Sequence, residues 1–117
     1  MPAEALLNSL RRRKEIRIIV QGRRTGRRIT LPVWFVLDDN TLWLLPVSGS
    51  RSQWFRNLRA NPSLVIGAGE RRATRTAELL TGRARVRSVV ERFRKKYGRA
   101  DVARYYSRFD AAVKVPL

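Results

Sequence analysis

The sequence predicts an α+β protein in which an antiparallel sheet bends toward a small barrel and a few short helices lie around it. Three observations predict it. Apolar strand patterns recur at 17–21, 29–37 and 41–47, separated by short polar turns. Prolines fall at irregular points in two of these stretches, Pro32 and Pro46, which mark an edge or a bend. Helical spacing appears only in short segments, at the N-terminus, after Ser50 and after Ser88. The 117 residues amount to one domain spanning the whole chain.

In chain order, Glu4 to Arg13 reads as an amphipathic helix, with Ala5, Leu6 and Leu10 at helical spacing and a basic run behind them. It is either a terminal helix lying on the barrel or an anchor for a membrane surface or partner. Arg17 to Gln21 is the first strand. Gly22 and Gly26 bracket the turn to the second, Ile29 to Leu37, where Ile29, Leu31, Val33, Phe35 and Leu37 share one face. Asp39-Asn40 suits a tight hairpin turn into a third strand, Thr41 to Val47. Ser50 and Gln53 form a capping-box pattern ahead of a helix that Asn61-Pro62 stops. Ser63 to Ile66 is the fourth strand, 67–70 a turn, and Ala73 to Leu80 the fifth strand, continuing through Arg83 and Arg85. A second capping box, Ser88 with Glu91, opens a helix through Phe93 and Tyr97 that Gly98 ends. Asp101 caps a short helix holding Tyr105, Tyr106 and Phe109, and 111–117 is a last strand.

Composition removes several chemistries. No cysteine is present, so disulfides, thiol catalysis and cysteine zinc sites are excluded. No histidine is present either, which removes the usual general base near neutral pH and the commonest metal ligand. No carboxylate pair or metal constellation is apparent, so any enzyme here must let a cofactor or substrate carry the chemistry. The net charge of +17 points to an anionic partner: a phosphorylated cofactor, an anionic membrane or nucleic acid. The charges of the helix near Phe93 surround it, which favours a solvated face over nucleic-acid binding. No apolar run approaches the ~18 residues of a membrane span, and no signal-peptide core precedes a cleavage site, so the expectation is a cytoplasmic protein, with membrane-surface association left open by the basic N-terminal helix.

The segment 22–28, Gly-Arg-Arg-Thr-Gly-Arg-Arg, is the leading candidate site. A glycine turn with guanidinium forks is suited to phosphate, although an ordinary basic hairpin turn reads the same way. It is neither a Walker loop nor a dinucleotide-binding fingerprint. Among the aromatics, Trp54 opens a helix beside a Ser-Gly-Ser loop, where its ring could wall a pocket.

Taken in order, that turn, the strand Leu31-Pro32-Val33-Trp34-Phe35 and the helix Trp54-Phe55-Arg56-Asn57-Leu58-Arg59-Ala60-Asn61-Pro62 resemble the deazaflavin-dependent nitroreductase and quinone reductase family. The resemblance covers Arg17 to about Ile66 well and the remainder loosely. It implies an FMN-binding-like split β-barrel of about six strands and an oxidoreductase. The implied activity is hydride transfer from reduced deazaflavin, coenzyme F420, to a quinone, nitroaromatic or enone. By analogy, Arg23, Arg24, Thr25, Arg27 and Arg28 take the coenzyme's phosphate and acidic tail. Pro32, Val33, Trp34, Val47, Ser48, Gly49, Ser50 and Trp54 surround its ring, and Asn57 braces the helix against the preceding loop. Tyr105, Tyr106 or Phe109 face the substrate, with the two tyrosines as catalytic candidates. One departure is the short loop from Ser48 to Ser52, which lacks a basic contact that the nitroreductases carry. The alternatives are an FMN-binding barrel, or a non-catalytic basic module for nucleic acid or anionic lipid. A homodimer is compatible with either.

Overall fold

A computed structural model describes residues 2–117. Its seven strands form one curled antiparallel sheet. The strands are β1 (Glu15–Gln21), β2 (Arg28–Asp38), β3 (Thr41–Leu44), β4 (Ser63–Ala68), β5 (Arg71–Thr76), β6 (Glu78–Leu80) and β7 (Ala112–Pro116). Four helices surround them: α1 (Pro2–Arg11), α2 (Gln53–Ala60), α3 (Arg83–Tyr97) and α4 (Arg99–Tyr105). The spatial order is β5-β4-β1-β2-β3-β7-β6.

Two strands turn this sheet into a split barrel. Residues 28–34 of β2 pair with β1, whereas 35–38 pair with β3, so one strand passes from one half of the sheet to the other. Pro32 lies opposite Arg17 in the half that β3 does not cover, so its missing N–H costs no bond on that flank. At the far edges, β5 and β6 are separated by Ala77 alone, whose N–H donates to the Pro62 carbonyl at 2.8 Å. The two edges of the sheet are therefore halves of one bent strand, which leaves little edge open.

Side-chain alternation sorts the apolar residues into two cores. Ile16, Ile18 and Val20 of β1, Phe35 of β2, and Leu42 and Leu44 of β3 fill the barrel, closed by Leu6 and Leu10 of α1 and by Trp54, Phe55 and Leu58 of α2. On the outer face, Val86, Val89, Val90 and Phe93 of α3 bury themselves with Val102 and Tyr106 against Trp34, Val36 and Trp43. Those four α3 residues follow the i, i+3, i+4, i+7 pattern of a helix lying on a sheet. Burial of Leu6 and Leu10 places the apolar face of α1 in the core, which leaves its basic residues outside.

Several expected boundaries move. The third strand ends at Leu44 rather than Val47, because Pro46 and a 3₁₀ turn at Gly49–Arg51 take over. Gly67 and Ala68 continue β4, so the turn contracts to Gly69-Glu70. The fifth strand does not continue through Arg83 and Arg85: both lie in α3, whose N-terminal boundary residue is Gly82. Neither capping box forms. Ser52, not Ser50, precedes α2, and Ser88 sits inside α3, where its hydroxyl accepts from Arg92 at 2.7 Å.

Candidate functional site

A cleft of about 550 Å³ opens at the seam between the two cores. One wall is β2, which contributes Leu31, Pro32, Val33 and Trp34. A second is the segment leading into α2, with Val47, Ser48, Ser52, Gln53 and Trp54. The end of α4 adds Tyr105 and Tyr106, and Glu15 and Leu45 complete the lining. Eight of the sequence-derived site residues thus meet in one place: Pro32, Val33, Trp34, Val47, Ser48, Trp54, Tyr105 and Tyr106. Strand alternation sends Leu31 and Val33 toward the barrel core and Pro32 and Trp34 to the other face. The cleft wraps around β2 and meets both.

Trp34 is fixed by its neighbours. Its ring stacks on Tyr97 at 4.2 Å and 9°, and Tyr105 meets it edge-on at 5.5 Å. The Tyr97 hydroxyl accepts from the Phe35 N–H at 3.0 Å, with the Lys14 and Phe35 carbonyls at 2.7 and 2.8 Å as its own acceptors. Burial first, and the Glu15 charge further, push this hydroxyl up to about 12 against the opposing bond to Phe35. Burial likewise raises Tyr106, followed by the influence of Tyr97, so Tyr106 stays a neutral hydroxyl across the working pH range. Trp54 is 9% exposed and belongs to the barrel core while showing an edge to the cleft. The two readings of this residue, core packing and pocket wall, hold together.

The loop before α2 is rigid because its backbone donors are spent internally. Gly49 N–H donates to Pro46 O, Arg51 N–H to Ser48 O, and Ser48 N–H to the Ser52 hydroxyl. Ser50 donates both its N–H and its hydroxyl to Asp110, at 2.8 and 2.5 Å. Gly49 has φ of +56°, and a Cβ there would collide with the Asp110 carboxylate. Gly49 and Ser50 therefore do not line the cleft. They anchor its wall from behind. Burial pushes the Asp110 carboxyl up, but the bonds from Ser50 and the Arg108 guanidinium outweigh it and hold it at about 2. Because the Ser52 hydroxyl serves Ser48, it does not cap α2.

The basic turn also differs from a backbone nest. Gly22 N–H donates to Arg27 O at 2.7 Å and Gly26 N–H to Gly22 O at 2.9 Å, while Arg27 N–H takes the Thr25 hydroxyl. Arg24, Arg27 and Arg28 are exposed, with their guanidinium groups open to an anion. Arg23 is not open to one, because its N–H and Nη1 both donate to the buried Asn57 Oδ1, and Nη2 donates to Gln53 at 2.8 Å. Asn57 accordingly braces α2 against the basic turn, not against the Ser48–Ser52 loop. Gln53 lines the cleft and holds Arg23, so the turn adjoins the cleft through a direct bond. Glu15 and Asp110 are not singled out by the sequence, and Gln53 is read there only as part of a capping box. Asp110 carries no local signal, since its partner lies 60 residues away.

Among known proteins, the model of the F420H(2)-dependent quinone reductase family matches residues 8–116. The chain belongs to this family. It is an oxidoreductase, and its coenzyme is F420. Solved structures agree on the fold of this reductase. An F420-H2 dependent reductase, FDR-A, superposes with a TM-score of 0.68 at 20% identity, covering 88% of this chain and 94% of that one. A structure described as a domain-swapped dimer gives 0.69 at 18%, covering 98% and 99%. A putative pyridoxamine 5'-phosphate oxidase from Listeria innocua gives 0.71 at 13%, covering 98% and 92%. A comparison with curated proteins gives no match.

The residues present fit F420. The cleft offers an apolar lining at Leu31, Pro32, Val33, Trp34 and Trp54, and Gln53 joins it to the turn that carries the exposed guanidinium groups of Arg24, Arg27 and Arg28. Among the described residues no group of acidic side chains is arranged to hold a metal, and no helix is long and apolar enough to cross a membrane.

Proposed function

We propose that the reductase delivers a hydride from reduced F420 to a quinone, nitroaromatic or enone held at the Tyr105–Tyr106 end of the cleft. The observation that carries this reading is the polarity of the cleft along β2. The β1–β2 ladder pairs Gln21 with Arg28 at one end and Glu15 with Trp34 at the other, ~20 Å away at ~3.4 Å per residue. The exposed Arg24, Arg27 and Arg28 lie at the first end, and Trp34 with the Tyr97, Tyr105 and Tyr106 rings around it stands at the second.

F420, bound in its reduced form, supplies the hydride. The chain's own residues bind, orient and exclude water. Arg24, Arg27 and Arg28 hold the acidic tail as bidentate donors, and Thr25 and Arg23 keep the turn in shape. Pro32, Val33, Trp34, Val47, Ser48 and Trp54 face the ring, with Gly49 and Ser50 setting the wall behind them. Tyr106 donates a hydrogen bond to the acceptor oxygen where negative charge develops, and Tyr105 covers the open side. A quinone takes up one hydride and one proton, and the proton comes from solvent at the open rim. A homodimer remains part of this reading, since a structure of the same fold is a domain-swapped dimer and Val47, Tyr105 and Phe109 are exposed near the cleft.

The test is a fluorescence titration with F420 and, in parallel, FMN at moderate salt, followed by a quinone and nitroarene screen. Micromolar or tighter F420 binding with weak FMN binding, and turnover, is the expected result. Binding of FMN alone would move the chemistry to ordinary flavins. Binding of neither, with salt-sensitive affinity for unrelated nucleic acids, would replace the enzyme reading with a polyanion-binding module.

A further inference from the structure

Glu15 is the one charged residue among those lining the cleft. It belongs to a chain with 26 Lys and Arg against 9 Asp and Glu. Asp38, Glu91 and Asp110 form ion pairs, and the Glu15 carboxylate forms none among the described residues. Two cations stand at the same end without pairing with it: Lys14, with Nζ 5.6 Å from the Trp34 ring centre, and Arg104, with Cζ 5.4 Å from the Tyr105 ring centre. The ladder places Glu15 directly opposite Trp34, at the end of β2 remote from the arginine turn. The one carboxylate that lines the cleft therefore stands at the end that adjoins Tyr105 and Tyr106.

We propose that Glu15 determines acceptor specificity: it favours acceptors bearing a cationic or hydrogen-bond-donating substituent beside the reducible ring and disfavours anionic ones. The inference rests on the reading that this cleft reduces quinone-type acceptors. An exposed carboxylate acts through solvent, so its effect is a few-fold preference that salt weakens. It works against the attraction that the net positive charge exerts on every anion, and so gives a local selectivity that the overall charge does not supply.

The probes are naphthoquinone, its sulfonate and its trimethylammonium derivative, reduced with F420 by the wild type and by Glu15→Gln. Comparing the two proteins acceptor by acceptor removes differences in intrinsic reactivity. The expected result is that Glu15→Gln raises kcat/KM for the sulfonate about three- to tenfold, lowers it comparably for the cation and leaves the neutral quinone unchanged. Added salt should compress both shifts. Glu70→Gln makes the same charge change at the β4–β5 turn and should leave the order intact. No shift in Glu15→Gln, or an equal shift in Glu70→Gln, overturns the proposal. Quenching of tryptophan fluorescence by the same three quinones reads binding without turnover. If the wild type reduces none of them, the proposed function fails on its own, and quenching decides for Glu15: a charge-dependent shift supports it, and identical quenching overturns it.

Discussion

The Ser50 hydroxyl donates to the Asp110 carboxylate at 2.5 Å, joining the loop before α2 to the segment that leads into β7. Ser50 N–H reaches the other oxygen of the same carboxylate, and Arg108 contacts Oδ2 at 3.0 Å. One exposed-edge aspartate thereby fixes the wall on which Val47, Ser48 and Trp54 sit.

Asp110→Asn should weaken this anchor by about 1 kcal/mol, below the ~1.5–3 kcal/mol of hydrogen bonds to a charged group, because 38% of the side chain is exposed and screened. Thermal unfolding measures it. The folded-state pKa lies below the ordinary value of 3.8, at about 2. The contribution is thus complete above about 4 and lost as pH falls toward 2. Asp110→Asn should flatten that part of the stability profile; an unchanged acid limb would remove Asp110 from the anchor. Gly49→Ala should cost more, about 1–3 kcal/mol, through its left-handed φ and the collision with Asp110.

Asn57→Ala and Arg24→Ala should separate scaffold from binding. Asn57 is 4% exposed and accepts two bonds from Arg23, so its loss should cost about 1–3 kcal/mol and loosen the basic turn. Arg24→Ala should leave the melting temperature within about 0.5 kcal/mol equivalent and reduce F420 affinity. Equal affinity in Arg24→Ala would take this arginine out of the tail site.

Tyr106→Phe should lower kcat about tenfold or more while F420 affinity changes little, since the hydroxyl is assigned to the acceptor. Burial keeps this phenol protonated well above its ordinary range. The pH profile of kcat should consequently show no alkaline fall due to Tyr106 up to about pH 10. A wild-type rate in Tyr106→Phe would leave the ring as packing only.

Lys96 supplies a second pH-dependent term, away from the cleft. Its ammonium donates to the Phe35 carbonyl at 2.7 Å and lies 3.6 Å from the Phe35 ring centre, and desolvation lowers its pKa from 10.5 to about 8. Between those values the unfolded chain binds more protons, so stability from this group should rise with pH from about 8 to 10.5. Lys96→Met should remove the rise in denaturant titrations at the two pH limits, and an identical slope in both proteins would contradict the assignment.

Much of the architecture follows from local sequence alone. The alternation of Ile16, Ile18 and Val20, the two faces of β2, and the inward Trp54, Phe55 and Leu58 are set by strand and helix periodicity, which needs no distant partner. The ordered motifs of the basic turn, the Pro32–Trp34 strand and the Trp54 helix were enough to imply the family and its coenzyme. Tertiary structure decided what periodicity does not encode. Ala77 splits what reads as a single strand because β4 and β7 each pair with only half of it. Arg83 and Arg85 leave the strand for a helix because Val86, Val89, Val90 and Phe93 must cover the outer face of the sheet. Arg23 is withdrawn from the anion site by Asn57, Ser50 from the cleft by Asp110, and Glu15 is brought into it by its pairing with Trp34. Each of these depends on groups distant in sequence meeting across a closed barrel, and only the folded chain creates such meetings.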